Sequence, residues 1–279
     1  MLFDTPRARP RGLRWLTRQP SAWADTVLYC LPTAGFGPDQ YLGWPASARG
    51  IEVCPLRFPG DEEPSWWDKN PGIADRAADL AAELADAMRA RPGPPGDPYP
   101  DRYRCPPPRA RGPQRYALFA HGASALIAYE VVAELERLGG PAPCRLFVSG
   151  CPAPHRAPVG AASPDERAIE RAVLAACVET GGVPLASRLE ASMRAAVAEA
   201  KALAAYQPSA PRLSQTPVTA IAWSRCPVPG YDTMADWSDC ASTDFEALDG
   251  GEYEYVVNPA PLLGALVARL DPRDPRTEA

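Results

Sequence analysis

The chain has 279 residues, 46% of them hydrophobic, and a formal net charge of −5. That suffices for one large core, or one core with a small cap. The mild acidic balance carries no block of like charge and excludes a nucleic-acid-binding surface. No apolar run approaches a signal peptide or a membrane span of roughly 20 residues, so a soluble, cytoplasmic protein is expected.

In chain order, apolar runs at 26–31 (TVLYCL) and 51–58 (IEVCPLRF) read as strands. Residues 72–90 then place Ile73, Ala77, Leu80, Leu84 and Met88 on one face at helical spacing. A proline-rich stretch at 91–114 reads as a solvated surface insertion of extended backbone. A third strand signal at 116–120 (YALFA) leads into a helix over 123–138, with Leu126, Tyr129, Val132 and Leu135 on one side. A fourth strand follows at 145–149 (RLFVS). Residues 164–206 hold two consecutive helical stretches with no strand between them. Strands are expected again at 217–223 (PVTAIAW) and 253–257 (YEYVV), and a helix over 258–270 closes the pattern.

Continuously apolar strands alternating with helices predict a single α/β domain built on a doubly wound, mostly parallel sheet. Ligands bind such sheets at the carboxyl ends of their strands. The helical pair at about 160–208 is expected to form a lid over that edge. Eight cysteines without a C-x-x-C pair predict small apolar packing residues rather than a disulfide framework. With only two histidines in the chain, no zinc site and no cofactor are expected.

The stretch "YALFAHGASALIAYEVV" (116–132) is the most informative. An apolar strand enters a corner of small residues and leaves as a helix. These are the requirements of a nucleophile elbow, in which the apex residue adopts a strained positive φ. Its apex position here is Gly122.

At these residues the chain resembles the type II thioesterases of polyketide and nonribosomal peptide assembly lines. The likeness runs through several segments in order: "LYCLPTAGFG" (28–37), "IEVCPLRFPGDEEP" (51–64), "YALFAHGASALIAYEVVAEL" (116–135), "CRLFVSGCPAPH" (144–155), "PVTAIAW" (217–223) and a tryptophan followed by "GGEYEY" (250–255). The resemblance implies an α/β-hydrolase fold and acyl substrates held as thioesters on carrier proteins.

Carried over one position at a time, the family's serine falls on Gly122, its acid on Cys226 and its histidine on Glu252. The only histidines are His121 and His155, so no histidine near the C-terminus can complete the Ser…Asp…His order of this fold. His121, His155 and Ser124 read as packing residues. Cys226, beside Arg225, can act as a nucleophile only if its pKa is depressed. Glu252 reads either as a general acid–base in a lidded apolar site or as a solvated or structural loop carboxylate. Tyr231, Asp232 and Tyr253 can complete a polar set with it, although Asp232 also suits a simple turn. The oxyanion hole implied by the resemblance consists of backbone N–H groups at Ala34 and Ala123, with Thr33 replacing a histidine of the family's loop.

Two readings remain open. One is an enzyme for a non-hydrolytic step (cyclisation, elimination or isomerisation) on a polyketide- or peptide-like intermediate. The other is a non-catalytic pseudo-thioesterase that binds an acyl chain, a carrier protein or a partner enzyme.

Overall fold

In the computed structural model, residues 14–21, 24–89, 115–157, 165–181, 186–226 and 230–270 are described. The proline-rich stretch at 91–114 lies outside them. The elements follow in the order β1 (Thr26–Cys30), β2 (Ser47–Ala48), β3 (Ile51–Pro55), α1 (Ser65–Lys69), α2 (Ile73–Arg89), β4 (Arg115–His121), α3 (Ser124–Arg137) and β5 (Arg145–Ser149). They continue with α4 (Glu166–Glu179), α5 (Ala186–Ala204), β6 (Val218–Trp223), α6 (Tyr231–Ala235), β7 (Thr243–Leu248), α7 (Glu254–Val257) and α8 (Ala260–Leu270).

The seven strands form one sheet in the order β2-β3-β1-β4-β5-β6-β7, parallel except for β2 against β3. The doubly wound α/β sheet expected from the sequence is therefore the observed architecture. Alternate residues of the strands enter two cores. Val27, Tyr29, Leu118, Ala120, Leu146 and Val148 face α2 and α3 in one core, whereas Leu28, Cys30, Ala117, Phe119 and Phe147 meet α8 residues Leu262 and Leu266 in the other. Burial on both faces accounts for the near-continuous apolar runs.

The strand reading fails in one place. Residues 253–257 are not a strand: Glu254–Val257 makes a single helical turn, and the last strand is Thr243–Leu248. As an edge strand, β7 has no fully buried residue, so "TDFEAL" lacks an apolar run. Within "YEYVV" only Tyr255 is buried, and it packs onto the end of the sheet.

The chain leaves β1 toward β3 and later returns to β4 on the opposite flank of β1. This reversal opens a crevice beyond the carboxyl ends of β1 and β4, the usual ligand position in such sheets.

Candidate active site

Two segments meet at that crevice. From β4 the chain turns through Gly122, at φ +59°, directly into α3. The Gly122 N–H donates to the Ser149 carbonyl at 2.8 Å, which fixes the corner to β5. A Cβ built on Gly122 meets no atom within 4 Å, so the space above the apex is open. The Ala123 N–H belongs to the first turn of α3, where helix geometry supplies no intrahelical acceptor. Ser124 is buried and donates its hydroxyl to the Pro32 carbonyl, which joins α3 to the loop after β1.

Beneath the apex, register sets His121 beside Ser149. Trp223 Nε1–H donates to Ser149 Oγ at 2.9 Å, and the same oxygen is hydrogen-bonded to His121 Nδ1 at 3.0 Å. The imidazole stacks on Tyr255 with centroids 4.3 Å apart. Gly150 has to be glycine here, because a Cβ would lie 2.7 Å from His121 Cε1. Burial holds the His121 pKa at about 3 instead of its ordinary 6.5. Its proton uptake on unfolding therefore opposes the folded state below about pH 6.5, and the stability it contributes above that pH is lost as pH falls toward 3. Relative to a His121→Gln variant, the wild type is expected to lose up to about 5 kcal/mol of unfolding free energy across that window. Chemical denaturation of both proteins at stepped pH checks this; parallel pH profiles would refute it.

The loop after β1 forms the other wall. Tyr255 donates its hydroxyl to Gln40 Oε1 at 2.9 Å and receives that of Thr33 at 3.3 Å. Helix α5 lies against the same loop: Ser192 donates its hydroxyl to the Gly35 carbonyl at 2.6 Å, and Val173 of α4 also approaches Gly35. The Ala34 N–H is directed at the carboxylate of Glu199 on α5. Burial raises the Glu199 pKa to about 7, while Arg76 of α2 and the Ala34 hydrogen bond pull it down.

Cys226, Glu252 and Tyr253 gather at the rim. The Cys226 thiol is buried, and its pKa is raised by burial and then by the charge of Glu252, so it stays a thiol at neutral pH. Glu252 is exposed as a residue, yet desolvation of its carboxyl and the proximity of Glu179 on α4 raise its pKa. Tyr253 packs its ring 5.7 Å from Phe36, and burial first, then Glu252, pushes its phenol up to about 12. Arg225 points to Asp249 at 3.5 Å and Glu254 at 3.2 Å, away from a role beside the Cys226 thiol. Asp232 is exposed in the first turn of α6, without contact to this group. His155 sits elsewhere, against Cys240 Sγ at 3.4 Å and Asp239 Oδ2 at 3.7 Å. Among the described residues no cluster suited to a metal ion occurs, and the seven described cysteines form no disulfide.

Residues 109–256 match the family model for the thioesterase domain. The chain belongs to the thioesterase family. Among solved structures, it is similar to RedJ, the thioesterase of the prodiginine biosynthetic pathway in Streptomyces coelicolor, at 24% identity and TM-score 0.64, covering 95% of this chain and 96% of RedJ. BorB, the type II thioesterase of the borrelidin biosynthetic cluster, matches at 21% identity and TM-score 0.64, over 91% of this chain and 96% of BorB. YbtT, a type II thioesterase from the yersiniabactin pathway, matches at 18% identity and TM-score 0.64, over 92% and 95%. At these identities the likeness establishes the shared fold. No curated protein matches by sequence.

Sequence reasoning passed over Glu199, Tyr255, and the Ser149–Trp223 pair. A signal for Glu199 was present: it lies on the buried face of α5 between Ala195 and Ala202, four residues after one and three before the other. A charge on such a stripe needs a reason.

Proposed function

We propose that this thioesterase-family chain performs a non-hydrolytic step, a cyclisation, elimination or isomerisation, on a polyketide- or peptide-like acyl intermediate of secondary metabolism, free or held on a carrier protein. The observation that carries this reading is the glycine at the apex of an otherwise complete strand–turn–helix elbow. An apex without a side chain forms no acyl-enzyme, and the neutral, stacked His121 is committed to Ser149. Further support comes from the carried-over acid and base positions, now Cys226 and Glu252. What remains is the N–H of the first α3 turn, without an intrahelical acceptor and so able to receive a carbonyl oxygen, and carboxylates for proton transfer. Glu252, whose pKa is raised by desolvation and by Glu179, is the choice for proton transfer near Cys226 and Tyr253; the protonated Cys226 and exposed Asp232 are weaker choices.

Gly122→Ser is expected to leave thioester hydrolysis at the protein-free rate, because a serine hydroxyl alone has no base to activate it. The positive φ costs such a variant about 1–2 kcal/mol, and the open space above the apex accepts the side chain. Release of free acid from an acyl-N-acetylcysteamine thioester checks this. Substantial hydrolysis by either protein would defeat the reading. Binding of an acylated carrier protein without turnover would favour the pseudo-thioesterase instead.

A further inference from the structure

We propose that Glu199 is the carboxylate that removes and returns a proton at the carbon next to a carbonyl group seated over Gly122. This deepens the non-hydrolytic reading above and rests on it.

The geometry starts with α5. Glu199 projects from the buried face of this helix, and its Oε1 is buried without any hydrogen-bond partner among the described residues. An ionisable oxygen is costly to bury in this state, and it persists where a ligand supplies the missing partner. The carboxylate faces Ala34 of the loop after β1, and its charge is felt by Cys151 just beyond β5 and by Tyr255 of α7. Ala34 lies on the loop that Ser124 of the elbow helix bonds, Cys151 follows Gly150 beside His121, and Tyr255 stacks on His121, so the carboxylate's neighbours all border the elbow.

A purely structural role as counter-ion to Arg76 fits the contacts poorly. The two charges make no ion pair within 4 Å, and Arg76 Nη1 is also buried without a partner among the described residues. What ties Arg76 to α5 is its bond to the Ala198 carbonyl, at 3.0 Å, made without Glu199. Arg76 instead acts at longer range to favour the ionised form, against burial, and the balance sets titration near neutrality. A base that is half ionised near working pH is well matched to proton transfer.

In the proposed step, the substrate C–H bond breaks and its proton forms an O–H bond on Glu199. The bonding pair moves into the carbonyl group, giving an enolate whose oxygen accepts the Ala123 N–H. The Ala34 N–H steadies the carboxylate while the proton is in transit. Return of the proton to the same carbon gives exchange, and return to a conjugated neighbouring carbon gives an isomer, with nothing gained or lost.

The test uses phenylacetyl-N-acetylcysteamine thioester in heavy water, with exchange of its α-hydrogens followed by NMR. Wild-type protein is expected to accelerate exchange, with a rate that rises as one group ionises near pH 7. Glu199→Gln should lower the rate about 100-fold and abolish that pH limb, while Glu199→Asp retains part of both. Glu190→Gln, an exposed change on the same helix, should leave the rate unaltered. Thermal midpoint and probe affinity of Glu199→Gln should stay close to wild type. Undiminished exchange in Glu199→Gln would overturn the proposal, as would absence of exchange by the wild type. A loss of rate that tracks a loss of fold or probe binding would reassign Glu199 to a structural role. Protein-dependent release of phenylacetate, visible in the same spectra, would instead overturn the non-hydrolytic reading itself.

Discussion

Replacing Arg76 with methionine is expected to lower the unfolding free energy by about 3–4 kcal/mol. The Arg76 side chain is fully buried. Its Nε donates to the Asn70 carbonyl at 3.0 Å, and its Nη2 donates to the carbonyls of Pro71 and Ala198 at 3.3 and 3.0 Å. The guanidinium carbon also stands 5.0 Å over the Trp67 ring. Methionine fills similar volume but supplies none of these donors, so three carbonyls lose a donor and Glu199 loses the opposite charge that favours its ionised form. The penalty comes mainly from groups left behind rather than from the strength of the bonds removed. A Glu199→Gln change in the Arg76→Met background should therefore restore about 1 kcal/mol, since it removes the uncompensated carboxyl. Urea unfolding of the two single variants and the double variant measures both quantities. Additive single effects, or a loss below about 1 kcal/mol for Arg76→Met, would contradict the account.

Glu83→Ala is expected to cost about 3 kcal/mol through a different mechanism. The Glu83 carboxylate accepts the backbone N–H groups of Arg14 at 2.8 Å, Trp15 at 3.0 and 3.1 Å, and Leu16 at 3.0 Å. It thereby holds the strap before β1, whose Trp15 is fully buried edge-on against Phe58 and Trp66. Both Trp15 Nε1 and Trp66 Nε1 bond Asp79 Oδ2, one helical turn earlier on α2. Alanine at 83 leaves three amides without an acceptor and frees the strap to leave its aromatic cage. Denaturant midpoint and tryptophan emission report the two consequences, and Glu83→Gln, retaining one acceptor oxygen, should fall between them. An unshifted midpoint in Glu83→Ala would refute the role.

Both effects involve residues whose neighbours in sequence say little about them. On α2, the apolar stripe of Ile73, Ala77, Leu80 and Leu84 was legible because its spacing is set by the helix alone. Arg76 and Glu83 look like ordinary solvated charges of that helix, and their burial follows only once α5 and the strap pack beside them. Likewise, "YEYVV" carries the composition of a strand, yet the sheet already ends in the more polar β7, and Tyr255 is used to stack on His121. Ala34 illustrates the same point for the site. Its place in the loop after β1 was readable, but its N–H is directed at a carboxylate of α5 more than 160 positions away.

By itself, the sequence determined the alternation of apolar strands and amphipathic helices, hence a doubly wound sheet, and it determined that the elbow apex is a glycine with histidines only at 121 and 155. These are properties of local period and residue identity, which the chain carries whatever its neighbours do. Only the tertiary structure decided which polar groups gather around the elbow. It brought Glu199 onto Ala34, set Arg76 behind it, left Glu252 at the rim and buried His121 under Tyr255. Desolvation and hydrogen bonding depend on atoms a few ångströms away in space, and those atoms come from segments far apart along the chain.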